Sequence, residues 1–149
     1  MMTNPEMSFD TELPKKHSPS FGASIPFIRQ IYFSYAVFFS QQEERTITLS
    51  GDDLSLEVSN RMQEGSDAPS LVREFPGRRQ AFLDAFASLH IGEWEPWYCD
   101  YRVLDGTSWT LIIHFCNGQD EVEIHGSNAY PDNFDDFYDL IKLEENNTF

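Results

Sequence analysis

Residues 109–124, with the sequence WTLIIHFCNGQDEVEI, decide the fold of the chain. Apolar and polar side chains mostly alternate along the first half, which is the period-two pattern of a strand with one buried face. Asn117-Gly118 follows, and this dipeptide favours a two-residue hairpin turn because both central positions need positive φ. A turn of that length places Ile113 opposite Val122, so the apolar side chains of the two strands share a face. The stretch therefore predicts a β-hairpin.

A second hairpin is predicted upstream at Gly51-Asp52, where glycine occupies the first central position of a type II′ turn. This turn places Leu49 opposite Leu54, again with the apolar side chains of both strands on one face. Residues 31–39 precede the hairpin and are apolar on both faces, which is typical of a central strand.

Two amphipathic helices are predicted from apolar residues spaced at i, i+3, i+4 and i+7. The first follows Pro76, which suits a first helical turn, and Gly92 ends it after about 12 to 14 residues. The second follows Pro131 near the carboxyl end. The apolar stripes are Phe82, Ala85, Phe86 and Leu89 in the first helix and Phe134, Phe137, Tyr138 and Ile141 in the second.

The predicted fold class is α+β, since these elements give the order strand-strand-strand-helix-strand-strand-helix. Neither helix can cover its own apolar stripe, so both must pack on the apolar face of the sheet. We therefore expect an antiparallel sheet of about five strands with two amphipathic helices packed on one face. Residues 25–149 are expected to form this single domain, residues 41–44 a turn, residues 60–75 a loop, and residues 1–24 a flexible N-terminal arm.

Composition excludes several classes of protein. The chain has 149 residues, 15% of them aromatic, which is too many for an acidic disordered tail. No run approaches about 18 uncharged apolar residues, so we expect no membrane span. The net charge of −15 opposes direct binding to the phosphates of nucleic acid. Two cysteines and an N-terminal segment without an apolar signal-peptide core favour a cytoplasmic location.

The sequence gives little support for a metal site or a catalytic site. His114, Cys116 and His125 lie on the polar face of the predicted hairpin, but its register puts the two histidines about 13 Å apart, too far for one ion. Neighbouring carboxylates fall at turns or on solvated faces, where nothing separates their pKa values for acid–base work. Motifs of phosphate loops, dinucleotide-binding loops and serine nucleophiles do not occur. We expect no metal, no cofactor and no catalytic activity.

The pattern VLDGxxWxLxIxFxNG begins at Val103, and the pattern GxNAYPxNF begins at Gly126. With the strand between them, these motifs resemble the shared tail of an uncharacterised family of small bacterial proteins. The resemblance implies kinship and a common fold, and it brings no activity with it. In the second motif, Asn128 and Tyr130 suit either a structural turn into the last helix or a binding loop held by rigid elements. Asp105, in the first motif, is a further candidate loop residue.

The charge distribution is the strongest functional signal. Residues 118–149 contain nine acidic residues and one basic residue, so more than half of the net charge lies there. Four aspartates fall on the helix face opposite the apolar stripe and span about 10 Å, and three carboxylates of the preceding hairpin are expected to adjoin them. The candidate partner-binding residues are Asp120, Glu121, Glu123, Asp132, Asp135, Asp136 and Asp139.

Two interpretations of these carboxylates are open. They can form a solvated face, with Asp132 favourable at the helix start. They can also block a basic protein partner such as a nuclease, with closely spaced carboxylates standing in for phosphates. On the second interpretation, the chain is a non-catalytic acidic binding protein of the inhibitor or immunity type, acting as a nucleic-acid mimic.

Two alternatives compete with this hypothesis. A protein-interaction or self-assembly module would use exposed aromatic side chains, with Phe38, Trp94, Trp97 and Tyr98 as candidates. A small enzyme would use a cleft between the Tyr130 loop and the Asp105-Gly106 turn. The charge distribution leads us to favour the acidic binding protein.

Overall fold

A seven-stranded sheet runs through the part of the chain that the computed structural model describes, residues 20–38, 41–62, 70–102 and 106–145. The strands are β1 (Ile28–Val37), β2 (Gln41–Ser50), β3 (Asp53–Met62), β4 (Leu71–Phe75), β5 (Trp97–Cys99), β6 (Thr107–Phe115) and β7 (Val122–Ser127). Their order across the sheet is β4-β3-β2-β1-β6-β7-β5, and only β5 and β7 pair in parallel. The helices are α1 (Ser20–Ser24), α2 (Arg79–Ala87) and α3 (Phe134–Ile141). None of these helices is long and apolar enough to cross a bilayer.

Both predicted hairpins are confirmed with their predicted registers. Ile113 pairs with Val122 across β6 and β7, and Leu49 pairs with Leu54 across β2 and β3. The connection between β6 and β7 spans residues 116–121 and is longer than a two-residue turn. The register is still the predicted one, because the buried faces of the two strands, rather than the turn alone, fix the pairing.

The α+β class is confirmed, but the sheet has seven strands where about five are predicted. β4 lies inside the predicted 60–75 loop. Four of its five side chains are exposed, and its sequence, LVREF, does not show the alternation of apolar and polar residues that indicates a strand. β5 is three residues long and follows Pro96 at the other edge. β2 begins at Gln41, inside the predicted 41–44 turn, because its polar start continues the ladder with β3 as far as Met62.

The first predicted helix, α2, is shorter than expected. Pro76 stands in a turn before it, where Gly77 has a φ of 72° and its N–H donates a hydrogen bond to the Asp53 carboxylate (2.8 Å). The helix is nine residues long. His90 then has a φ of 54°, so the chain leaves the helical path before Gly92. The last helix, α3, spans its predicted stripe.

The predicted N-terminal arm, residues 1–24, includes α1. Residues 20–24 are helical, and the Phe21 ring is buried edge-on against Phe115 with the ring centroids 6.1 Å apart. This end of the predicted arm belongs to the folded domain, because the ring completes the apolar face of β6. Residues 1–19 lie outside the described residues.

The core lies on one face of the sheet. Alternate positions of β1, β2, β6 and β7 supply buried side chains. Phe33 of β1 meets Phe137 of α3 with the ring centroids 5.4 Å apart. Phe82 and Phe86 of α2 join the same buried cluster, so both long helices cover the same face.

The opposite face of the sheet carries polar side chains such as Tyr32, Glu57, Thr110 and Glu123. None of its described side chains is buried. Because side chains alternate along strands, this face lies on the other side of the sheet from the helices. We call it the open face.

Trp109 of β6 joins the sheet to the loop that leads into α3. Its side chain is 2% exposed, and its Nε1–H donates a hydrogen bond to the carbonyl oxygen of Ala129 (3.0 Å). Gly126 of β7 lies directly against the ring, since a Cβ atom built there would stand 2.0 Å from Nε1. Glycine at position 126 lets the indole fill the space between β7 and the loop.

The variant Gly126→Ala tests this contact. A real Cβ atom cannot approach the indole so closely, so the ring must move and its hydrogen bond to Ala129 must weaken. We expect the free energy of unfolding, measured by urea denaturation, to fall by about 1–3 kcal/mol or more. Gly22→Ala is the matched control, because a Cβ atom there meets nothing within 4 Å. Equal stability of the two variants would contradict this role for Gly126.

Arg45 of β2 is a buried cation, 5% exposed, that ties β2 to the end of α3. Its guanidinium donates two hydrogen bonds of 2.8 Å to the Glu144 carboxylate and one of 3.3 Å to the carbonyl oxygen of Ile141, and it also pairs with Glu43. Burial alone would raise the pKa of Glu144, but the hydrogen bonds and charge of Arg45 outweigh it and hold that pKa below 4.5. The pair therefore stabilises the fold through the charged form of Glu144.

The variant Glu144→Gln should lower the free energy of unfolding by about 1.5–3 kcal/mol at neutral pH, because charge-assisted bonds to Arg45 are lost. Since the pKa of Glu144 is lower in the folded chain, this contribution is complete above pH 4.5 and disappears as the pH falls below that value. Denaturation curves of variant and wild type should therefore converge at acidic pH. Glu145→Gln, which removes a carboxylate 63% exposed, is the control. A stability difference that stays constant with pH would refute the assignment.

Candidate functional site

The loop between β7 and α3 carries two of the predicted binding residues, Asn128 and Tyr130. Asn128 has a φ of 59°, and its side-chain oxygen accepts a hydrogen bond from the backbone N–H of Thr107 (2.9 Å). Its own backbone N–H donates to the carbonyl oxygen of Thr107 (2.9 Å). Asn128 therefore holds the loop against β6. Asp105, the third predicted loop residue, lies outside the described residues.

Tyr130 projects from this loop above the core. Its ring stacks on Trp109 with centroids 6.4 Å apart and contacts Phe134 with centroids 4.9 Å apart. Its hydroxyl contacts Thr107 Oγ1 and lies 3.5 Å from the hydroxyl of Tyr35. The side chain is still 38% exposed, so the core holds the ring while solvent can reach it.

A cleft of about 490 Å³ opens beside Tyr130, and we call it the tyrosine cleft. Its lining residues are Tyr35, Tyr130, Pro131, Asp132, Phe134, Asp135 and Tyr138. The aromatic floor is continuous, because the Tyr138 ring lies 5.9 Å from Tyr35 and 6.2 Å from Phe134 between centroids. Asp132 and Asp135 are exposed beside this floor. The cleft thus combines aromatic ring faces with carboxylates.

Two phenols of the cleft, Tyr35 and Tyr138, stay neutral well above physiological pH. Burial, followed by the hydrogen bond with Tyr130, raises the pKa of Tyr35 to about 12. Burial and the negative charge of Glu43 raise the pKa of Tyr138, whose hydroxyl donates a hydrogen bond to Glu43 Oε1 (3.0 Å). At Tyr35 and Tyr138 a ligand in the cleft therefore meets neutral aromatic rings.

A second cleft of about 420 Å³ lies on the other side of Tyr130 and Pro131. It is bounded by His90, Glu93 and Trp94, and it shares Asp132 with the tyrosine cleft. The segment from Tyr130 to Asp132 is therefore a ridge between two clefts. Gly106, which the enzyme alternative places beside the Tyr130 loop, lines neither of them.

The structure brings together four of the seven predicted partner-binding carboxylates. Asp132 lies in the turn before α3 and Asp135, Asp136 and Asp139 lie on the helix, all exposed. Their positions follow an i, i+3, i+4, i+7 spacing, so they share one side of the helix. We call these four residues the acidic face of α3.

The other three predicted carboxylates lie elsewhere. Glu123 is on the open face and its carboxylate contacts His125 Nε2 at 2.8 Å, while Glu121 contacts His114 Nδ1 at 3.2 Å. Asp120 is exposed in the connection between β6 and β7. Glu121 and Glu123 do not join the acidic face, because Val122 and Ile124 point toward the helices and the side chains that alternate with them point away. Asp120 lies at the end of β7 opposite the loop that leads into α3.

The predicted histidine and cysteine residues do not converge. His125 Nδ1 lies 3.0 Å from Thr110 Oγ1, which leaves His125 between a hydroxyl and the Glu123 carboxylate. The order hydroxyl, imidazole, carboxylate resembles that of an activated nucleophile. Thr110, however, lies in the middle of β6, which is paired with β1 and β7, so the backbone N–H groups that would stabilise an oxyanion are used in the sheet. Within the described residues no three histidine, cysteine or acidic side chains form a metal cluster.

The four aromatic residues of the alternative hypothesis do not form one surface. Trp97 is 62% exposed and Phe38 is 51% exposed. Trp94, however, is buried, and its Nε1–H donates a hydrogen bond to Asn133 Oδ1 (2.9 Å). Tyr98 is half-buried and packs against the core.

Two residues of the tyrosine cleft, Tyr35 and Tyr138, are not among the predicted site residues. Both occupy positions that the sequence pattern assigns to the core, Tyr35 in the alternation of β1 and Tyr138 in the stripe of α3. The signal that distinguishes them is the hydroxyl group, because a buried tyrosine needs a hydrogen-bond partner or an opening to solvent. A tyrosine at a core position next to acidic residues therefore indicates the margin of a cleft.

No protein-family model matches the chain, and no curated protein or solved structure is significantly similar to it.

The variant Tyr35→Phe tests the hydrogen-bonded floor of the cleft. Because the pKa of Tyr35 is raised from 10.0 to about 12, its phenol contributes stability that is complete below pH 10 and disappears as the pH rises toward 12. Wild type should therefore lose more free energy of unfolding than the variant across this interval. Tyr101→Phe, which removes an exposed phenol outside the cleft lining, controls for the loss of one phenol. The same alkaline dependence in wild type and Tyr35→Phe would contradict the assignment.

Proposed function

We propose that this protein is a non-catalytic binding protein that covers a positively charged surface of a partner protein, as an inhibitor or immunity protein does. The observation that carries the proposal is the acidic face of α3, four exposed aspartates on the helix and the turn before it, beside the tyrosine cleft. A basic groove that binds nucleic acid, such as that of a nuclease, is the partner surface that this arrangement suits. The carboxylates would then occupy positions of phosphates.

The electrostatics of the helix support this proposal. Among the described residues, no cationic side chain forms an ion pair with Asp132, Asp135 or Asp136, so their charges face solvent. Asp139 lies 3.5 Å from Lys142 Nζ. With a net charge of −15, the chain attracts a basic partner over distances comparable to the Debye length.

The rigidity of the helix supports it as well. Phe134, Phe137 and Ile141 are buried on the side of α3 that faces the sheet, and Arg45 donates a hydrogen bond to the carbonyl oxygen of Ile141. A helix fixed along its length presents its carboxylates without first being ordered. Binding therefore costs less conformational entropy than it would on a flexible acidic tail.

Affinity capture from native lysate, followed by mass spectrometry, tests the proposal at low and high salt. The triple variant Asp135→Asn, Asp136→Asn and Asp139→Asn should lose the captured protein, with affinity at low salt reduced roughly 10-fold or more. Wild-type capture should weaken steeply with salt, because steering by exposed charges is screened. Circular dichroism spectra and melting curves would show that the variant is folded.

The matched control removes three carboxylates from elsewhere on the molecule, Glu57→Gln, Glu121→Gln and Glu123→Gln. It changes the net charge by the same amount, so it separates a local surface from a general effect of charge. We expect this control to keep nearly all of the capture. Equal loss in both triple variants, or undiminished capture by the α3 variant, would refute the proposal.

A further inference from the structure

The tyrosine cleft adjoins the acidic face but has chemistry of its own. Its walls are the rings of Tyr35, Tyr130, Phe134 and Tyr138, and the carboxylates of Asp132 and Asp135 stand beside them. Aromatic ring faces carry partial negative charge and attract cations. A cleft that joins such faces to carboxylates attracts a cation twice, once through the rings and once through full charges.

The hydroxyl groups of these rings already have partners inside the protein. The Tyr138 hydroxyl donates to Glu43, and the hydroxyls of Tyr35 and Tyr130 lie together beside Thr107. The ligand therefore meets ring faces and carboxylates, whereas each phenolic hydroxyl contacts another side chain of the protein. This composition disfavours an anion and favours a flat, weakly hydrated cation.

One ring of the cleft already accepts a cation from the protein itself. The Lys142 ammonium lies 4.9 Å from the centroid of the Tyr138 ring. Lys142 does not line the cleft, so this contact leaves the cleft unoccupied by a cationic side chain among its lining residues. It is an internal example of the interaction that the cleft offers to a ligand.

We infer that the tyrosine cleft binds an arginine side chain of the partner protein, with the guanidinium against the tyrosine rings and its N–H groups directed to Asp132 and Asp135. The inference rests on the proposed function and names the anchor of that interface. Arginine fits better than lysine, because its guanidinium is planar, stacks on aromatic rings and donates to carboxylates through a fork of N–H groups. Arginine and tyrosine are both enriched at interface hot spots, which lie in well-packed pockets.

The test uses three small probes and the full-length protein. The probes are N-acetyl-arginine methylamide, the corresponding lysine compound, and the citrulline compound, which has nearly the shape of arginine without its charge. Titrations followed by NMR report the ring signals of the cleft tyrosines. Arginine should shift these signals to saturation, lysine should bind roughly threefold or more weakly, and citrulline should leave them unchanged. Binding of citrulline or lysine as tight as that of arginine would overturn the inference.

Two substitutions locate the probe. Tyr130→Leu removes an exposed ring, and Asp135→Asn removes a charge; each should weaken arginine binding roughly three- to tenfold. Trp97→Leu removes an aromatic ring that is also exposed but lies next to β7 on the other side of the sheet, and Glu57→Gln removes a charge on the open face. These two controls should bind arginine as wild type does. Unchanged binding in Tyr130→Leu and Asp135→Asn, with melting temperatures near that of wild type, would place the probe elsewhere and overturn the inference.

The outcomes separate this inference from the proposed function. If Tyr130→Leu keeps partner capture while the triple α3 variant loses it, the acidic face binds the partner and the arginine anchor is refuted. If arginine binds the cleft but the triple α3 variant keeps partner capture, the cleft is supported and the proposed function is refuted. If Tyr130→Leu and the triple α3 variant both lose partner capture, the arginine anchor and the proposed function are both supported.

Discussion

The contact between the Trp109 indole and the backbone of Gly126 supports both the fold and the candidate site. Because position 126 has no side chain, the ring lies directly against β7 and its N–H reaches the carbonyl oxygen of Ala129. That bond fixes the loop, and the indole then provides the surface on which Tyr130 stacks. The loop leads directly into α3, so the same contact sets where the acidic face begins.

Local sequence patterns predict the centre of the sheet well and its edges poorly. The pairs Ile113–Val122 and Leu49–Leu54 follow from alternation and turn chemistry, because each hairpin joins neighbouring segments. β4 and β5 lie at the edges of the sheet, where one side of each strand has no neighbouring strand and the side chains need not be apolar. Their pairing depends on the surface that the rest of the sheet presents, which no short window of sequence contains.

The candidate site was only partly accessible to sequence reasoning, for a similar reason. Tyr130, Asp132 and Asp135 are predictable because they stand in one loop and the helix that follows it. Tyr35 reaches the same cleft from β1, 95 residues away from Tyr130 along the chain, and only the order of strands brings it there. The separation of Glu123 from the acidic face, in contrast, follows from the alternation of β7 alone, since its apolar neighbours point toward the helices.

In the proposed interface, one side of the molecule, the acidic face of α3, covers the partner. Carbodiimide labelling of carboxylates, compared between the free protein and its complex, measures this directly by mass spectrometry. We expect Asp132, Asp135 and Asp136 to lose reactivity in the complex while Glu57 and Glu123 on the open face keep theirs. Protection of the open face, with the aspartates of α3 still reactive, would show that the partner does not bind the acidic face.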